Sequence, residues 1–127
     1  MHELLPATLD SVALARAAVR QFTAGLEVDV DGVVLAVSEA VANVVAHAYV
    51  DGAHGLFELS AGASPLEVTV TVRDHGRGLT EATDPTAGAG YGLPIIRRLA
   101  QHVELADTTN GVALTMGFRR GAIWSDR

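Results

Sequence analysis

The sequence predicts a two-layer α/β sandwich in which a mostly antiparallel sheet carries helices on one face. Two segments with apolar residues at helical spacing come first, over about residues 8–26 and 29–49. Segments with strand patterns follow, and one further helix, over about 91–101, is inserted among them. This order is typical of an α/β sandwich, because each element must bury one apolar face against another layer.

The first helix is predicted to end near Gly25, and the second to begin at a capping aspartate, either Asp29 or Asp31, and to run to about Tyr49. The apolar stripe of the second helix consists of valines: Val30, Val34, Val37, Val41, Val44 and Val45. Valine has a low intrinsic helix propensity, so we expect this helix to depend on packing against other elements.

The clearest strand covers residues 66–73, where apolar and polar side chains alternate. A short strand over 56–61 precedes it, and a hairpin of 103–107 and 112–118 follows, turning around Thr109-Asn110-Gly111. The side chains predicted to face the core from the clearest strand are Leu66, Val68, Val70 and Val72.

Composition bounds the class of protein. The chain has 127 residues, 49% of them hydrophobic and 19% charged, which suits one globular domain (residues 1–127, with a core at about 8–118). Its net charge is −6 and it contains no lysine, so direct nucleic-acid binding is not expected. No apolar run is long enough for a membrane span, and the absence of cysteine excludes disulfides and thiolate metal sites. We expect a cytoplasmic protein.

The second helix carries an unusual polar stripe. Glu39, Asn43 and His47 are four residues apart and are flanked by alanines, where a solvated face would carry long charged side chains. One carboxylate and one amide are too few ligands for a metal on their own, but they suffice for Mg²⁺ if a nucleotide supplies further oxygens. Alternatively, this helix lies between two apolar layers and its polar groups are structural, with His47 packing or capping the helix end.

A second motif, Asp74-His75-Gly76-Arg77-Gly78, follows the clearest strand. A carboxylate at a strand end can accept a hydrogen bond from an amino group, and the two glycines allow the backbone to approach a flat base. An ordinary strand-to-loop turn has the same composition.

A third motif, Gly88-Ala89-Gly90-Tyr91-Gly92-Leu93, opens the helix over 91–101. Glycines before a helix N-terminus can form a backbone cradle for phosphate. The motif is not a P-loop, because the chain has no lysine, and it does not follow a first strand as a Rossmann motif does.

The order of the three motifs resembles the GHKL superfamily of ATPases and kinases, which share the Bergerat (histidine-kinase-like ATPase) fold. The stretch from Ser38 to Tyr49, SEAVANVVAHAY, most resembles bacterial anti-sigma-factor serine/threonine kinases. The resemblance covers about residues 8–118. It implies ATP and Mg²⁺ as cofactors, a sigma factor and a small antagonist (anti-anti-sigma) protein as partners, and a homodimer as a possible assembly.

The resemblance also implies residue roles. Glu39 would be the general base and Asn43 a Mg²⁺ ligand. The remaining nucleotide contacts would come from one carboxylate and from backbone along the phosphates: Asp74, Gly76, Gly78, Gly88, Gly90, Gly92 and Leu93. Arg16 and Arg20, four residues apart on the first helix, could contact a partner protein or could simply be solvated.

Two features depart from the family pattern. The segment from Thr80 to Ala89, which would form a lid over the nucleotide, has no lysine or arginine to reach the γ-phosphate. Many members also carry a threonine after the glycine of the last hairpin, whereas here Val112 follows Gly111, and Thr115 further along the strand is the remaining candidate.

Three functions therefore stay open: a serine/threonine protein kinase and anti-sigma factor, a non-catalytic nucleotide-gated partner-binding module, and an ATPase subunit that uses water as the acceptor. The catalytic domain of a longer histidine kinase is a less favoured fourth, because no phosphoacceptor helix is evident in the sequence.

Overall fold

The architecture is taken from a computed structural model, which describes residues 1–51, 55–74, 93–108 and 111–121, with side chains except at 47–51, 107 and 108. Five strands and three helices lie within these ranges. In chain order they are β1 (His2–Pro6), α1 (Leu9–Thr23), α2 (Val30–Asp51), β2 (Leu56–Ala63), β3 (Glu67–Asp74), α3 (Leu93–Leu99), β4 (His102–Thr108) and β5 (Gly111–Arg119).

The five strands form one sheet in the order β1-β2-β3-β5-β4, and every pairing in it is antiparallel. Alternate side chains of each strand point to opposite faces. The face toward the helices is apolar, whereas the opposite face carries polar groups such as the hydrogen-bonded pair Thr71 and Thr115. The predicted α/β sandwich with helices on one face is confirmed.

The core lies between the sheet and the helices. Each helix contributes fully buried side chains to it: Ala15 and Val19 from α1, Val33, Val37 and Val41 from α2, and Ile96 from α3. The buried strand residues that meet them are Phe57, Leu59, Val68, Val70, Val72, Leu114, Met116 and Phe118. The core thus joins all three helices to the same face of the sheet.

A side-chain cap sets the start of α2. The Oδ1 atom of Asp29 accepts a hydrogen bond from the backbone N–H of Gly32 at 3.2 Å, which satisfies one of the unpaired amides of the first turn. A Cβ at Gly32 would meet the Asp29 carboxylate, so a larger residue there would require this capping side chain to shift. Of the two predicted caps, the structure selects Asp29.

Of the helices that the structure describes, none is long and apolar enough to cross a membrane.

The alternation in β3 was predicted correctly for its three valines but not for Leu66. That residue precedes the strand and is 77% exposed. Ser64 explains the difference, because its hydroxyl accepts hydrogen bonds from the backbone N–H groups of Leu66 and Glu67 at 3.2 and 3.1 Å. These bonds hold a turn there, and the strand begins one residue later.

Strand β1 is an additional element that the sequence pattern did not indicate. It pairs with β2 at the edge of the sheet, with His2 opposite Ser60 and Pro6 opposite Leu56. Leu5 packs on the core, while Leu4 is 53% exposed. Proline, which has no N–H to donate, is tolerated here because the strand lies at an edge.

Two leucines test the position of the core. Leu59→Ala removes a fully buried side chain between the sheet and the helices, so we expect a loss of about 2–5 kcal/mol in the free energy of unfolding. Leu66→Ala, the same change at an exposed turn position, is expected to stay within about 0.5 kcal/mol of the parent. Urea unfolding measures both values, and similar losses for the two variants would contradict this core.

Candidate functional site

The central part of the candidate site is the polar face of α2. Glu39 and Asn43 lie one turn apart on this helix, and both are half-buried. Residues four apart on a helix share a face, with about 5–6 Å between their Cβ atoms. The valines on the other side of α2 are fully buried, so any rotation of the helix about its axis would remove them from the core. This packing fixes the direction in which Glu39 and Asn43 point.

The amide of Asn43 has an unmet hydrogen-bonding requirement. Its Nδ2 atom is buried, and no residue in the described part of the chain accepts a hydrogen bond from it. Such a group costs about 1–3 kcal/mol unless something binds it. A half-turn of the amide would present its oxygen at the same place, and an amide oxygen is a ligand that Mg²⁺ accepts. The residues present therefore fit a metal–nucleotide group at this position.

Asp74 lies on the same side of the sheet as α2. It is the last residue of β3, it is half-buried, and it stands opposite Phe57 of β2 and Val112 of β5. Phe57 and Val112 both belong to the helix-facing side, so the Asp74 carboxylate also points to that side. Because α2 packs on β3, the predicted base-binding carboxylate and the helix that carries Glu39 and Asn43 lie on the same side of the sheet.

Leu93 is the third described part of the predicted nucleotide site. It is the first residue of α3, it is half-buried, and it packs against the core. Helix α3 contacts α2, so the end of the third sequence motif lies beside the helix that carries Glu39 and Asn43. Gly76, Gly78, Gly88, Gly90 and Gly92 lie outside the described residues, as does the side chain of His47. Their roles stay predictions.

Thr115 does not belong to this site. It stands opposite Thr71 on the outer face of the sheet, where the two hydroxyl oxygens are 3.1 Å apart. The interpretation of Thr115 as a substitute for the missing threonine is therefore wrong, because strand alternation turns it away from Asp74. The residue opposite Asp74 on β5 is Val112, which is 5% exposed and whose side chain has no hydrogen-bonding group.

Arg16 and Arg20 lie together, as predicted, on a different surface. They line an open groove of about 540 Å³ between α1 and α2, on the side of the helices away from the sheet. Arg20 makes a long contact with Asp31, 3.4 Å between Nη1 and Oδ1, and both side chains are exposed. Exposed pairs of this kind contribute little stability, so Arg20 can be recruited by a partner at small cost.

Sequence reasoning missed the partner of Arg16. Its Nε–H donates to the hydroxyl of Ser38 at 2.8 Å, and Ser38 is buried in α2 beside Glu39. The signal that the sequence offered was Ser38 itself, a hydroxyl-bearing residue among the valines and alanines of the second helix, where a buried hydroxyl needs a hydrogen-bond partner.

Comparison with known proteins agrees with this architecture. Residues 5–118 match the Histidine kinase-like ATPase domain family. The anti-sigma F factor of Anoxybacillus flavithermus is 28% identical over 123 residues, which cover 87% of this chain and 84% of that protein. The crystal structure of the RsbU and RsbW domains of Rv1364c from Mycobacterium tuberculosis superposes with a TM-score of 0.73 at 25% identity, covering 94% of this chain and 32% of that one.

Two other relatives match about half of the chain. Blue-light-activated histidine kinase 2 of Erythrobacter litoralis is 40% identical over 68 residues, and an anti-sigma F factor of Clostridium botulinum is 36% identical over 72 residues. The matches cover 53% and 54% of this chain. They span only 20% of the histidine kinase and 50% of the Clostridium protein.

The lack of a hydrogen-bond acceptor for the Asn43 amide among the described residues leads to a test. Asn43→Ala removes the unsatisfied group and improves helix propensity, so we expect the ligand-free protein to be as stable as the parent or up to about 1 kcal/mol more stable. The rise in melting temperature on adding Mg·ATP should disappear at the same time. Gln21→Ala, which removes an exposed amide from α1, serves as the control and should keep that rise. A marked loss of stability without ligand would show that the Asn43 amide has a protein partner.

Proposed function

The chain belongs to the Histidine kinase-like ATPase domain family, and from that premise we propose that it is an ATP-binding anti-sigma-factor serine/threonine protein kinase. It would phosphorylate a small antagonist protein and regulate transcription by partner switching. The observation that carries the nucleotide half of this proposal is the Glu39–Asn43 pair, with its buried, unsatisfied amide, on the side of the sheet that also presents Asp74.

The anti-sigma half of the proposal is supported by the relatives. The Anoxybacillus protein, whose name describes an anti-sigma F factor, aligns along most of both chains. The histidine kinase relative shares only a fifth of its own length with this chain. A relative that aligns along most of its own length supports an anti-sigma role more strongly than a fifth of a histidine kinase supports a sensor role.

Each described site residue has a role in the proposed reaction. Asp74 would accept a hydrogen bond from the adenine amino group, and Asn43 would hold Mg²⁺ through its amide oxygen. Glu39 would orient the hydroxyl of the substrate serine and take its proton. Mg·ATP, when bound, supplies the phosphoryl group and neutralises the charge that develops on it. The glycines from Gly76 to Gly92 would line the base and phosphates with backbone.

The partner surface would be the groove between α1 and α2. Arg16 and Arg20 give this groove a positive rim on a chain whose net charge is −6. Asp31 and Ser38 add one carboxylate and one hydroxyl to its lining, and apolar side chains, including Val34 and the 45% exposed Leu35, form the rest. A positive rim around an apolar lining suits a protein segment that carries both carboxylates and apolar residues.

A non-catalytic, nucleotide-gated binder is the second candidate function. It is favoured by the segment from Thr80 to Ala89, which contains no lysine or arginine to stabilise charge on a transferring phosphoryl group. An ATPase subunit would use the same pocket with water as acceptor.

Calorimetric titration tests the nucleotide site. Asp74→Asn replaces the charged acceptor by an amide, so we expect binding of Mg·ATP to weaken by about 10- to 100-fold. Asp31→Asn, at a side chain that is 89% exposed on the other surface, should leave the affinity unchanged. Equal affinities for the parent and Asp74→Asn, in samples that unfold at the same temperature, would remove Asp74 from the site.

Phosphotransfer from labelled Mg·ATP to the antagonist separates the candidate functions. We expect Glu39→Gln to lower the transfer rate by about 10²- to 10⁴-fold, because the amide cannot take a proton, while Mg·ATP still binds. Glu104→Gln, at an exposed position on β4, is the matched control. A parent protein that binds Mg·ATP without transferring phosphate would favour the nucleotide-gated binder, and release of phosphate to water alone would favour the ATPase.

A further inference from the structure

Ser38 is a buried hydroxyl to which the proposed function gives no role. It lies on α2 with 6% of its surface exposed, and its Oγ accepts a hydrogen bond from Nε of Arg16 at 2.8 Å. Arg16 itself is exposed on α1. The bond therefore connects an interior position on one helix with a surface cation on the other.

This bond leaves most of the arginine available. A guanidinium group is planar and has five N–H donors, and the contact with Ser38 uses only the one on Nε. Among the residues that the structure describes, no carboxylate comes within ion-pair distance of Arg16, whereas Arg20 has Asp31 at 3.4 Å. Two amino groups of Arg16 thus stay available, in a plane that one hydrogen bond already fixes.

The groove around Arg16 has space for a ligand. Small side chains, Ala13 and Ala17, stand on either side of the arginine along α1, and Ser38 lies across from it on α2. Because alanine extends only one carbon from the backbone, an approaching carboxylate can reach the guanidinium from the solvent side. An arginine normally loses side-chain freedom when it binds, and this loss weakens the affinity. An arginine that is already held loses less.

We propose that Ser38 is a positioning residue for partner binding: its hydroxyl holds the Arg16 guanidinium ready for a carboxylate of the partner protein. The proposal rests on the proposed function, in which Arg16 belongs to the partner surface. It adds a residue that would make partner binding more specific, on the helix that also carries Glu39, one residue further along. Lysine at position 16 could not replace arginine, because a lysine ammonium group has no fixed plane to orient.

A double-mutant cycle tests this pairing. The probes are the sigma factors and antagonist proteins encoded in the same genome, each purified and titrated in the presence of Mg·ATP. The cycle compares the parent, Ser38→Ala, Arg16→Ala and the double variant. The matched control is Ser11→Ala, which removes another buried hydroxyl, one that faces the core from α1 away from the groove. If Ser38→Ala does not fold, Ser38→Cys, a weaker acceptor of similar size, takes its place.

We expect Ser38→Ala to weaken partner binding by about 2- to 10-fold and to have no further effect when Arg16 is already alanine. Affinity for Mg·ATP, and partner binding by Ser11→Ala, should stay within about twofold of the parent. The role of Ser38 would be overturned, with the partner surface left standing, if Ser38→Ala bound the partner like the parent while Arg16→Ala bound it weakly. The same conclusion would follow if Ser38→Ala weakened binding equally with and without the arginine at position 16. Parent-like binding by Arg16→Ala, or no partner bound by the parent, would overturn the partner surface and this inference with it.

Discussion

The rotation of α2 about its own axis is the constraint on which the rest of the structure depends. Val33, Val37, Val41 and Val45 recur every four residues and are buried between the sheet and the neighbouring helices. One residue of slippage would turn the helix by about 100° and bring polar side chains into the core. Because the valine side is fixed, Glu39 and Asn43 are held on the other side, and Ser38 is held against α1. Packing rather than propensity thus sets the positions of the polar groups.

Most of the fold could be predicted from the sequence because its elements carry strong local patterns. Periodicity located α1, α2 and β3, and the cap of α2, Asp29, is one of the two aspartates that were expected. Strand β1 could not be predicted, because it is five residues long and only Leu5 of its two adjacent leucines packs on the core. Its pairing with β2 depends on contacts across the sheet, which a local pattern does not contain.

The candidate site was predictable to a smaller extent. Asp74 and Leu93 lie at element ends beside α2, as the order of the motifs indicated. Whether Thr115 lies on the same face of the sheet as Asp74 can be decided only once the register between β3 and β5 is known. The bond between Arg16 and Ser38 joins residues 22 positions apart on two helices. No spacing rule within one helix could reveal it.

The pairing of β1 has a consequence for the order of folding. His2 stands opposite Ser60 of β2, so nearly half of the chain must be synthesised before β1 can dock. At about 5–20 residues per second, this strand waits for several seconds on a ribosome. Helices α1 and α2 are both synthesised before β2, and their own contact is local in sequence. The helical hairpin can therefore form before β1 and β2, the first strand pair that the growing chain completes, and it is available as a template for the sheet.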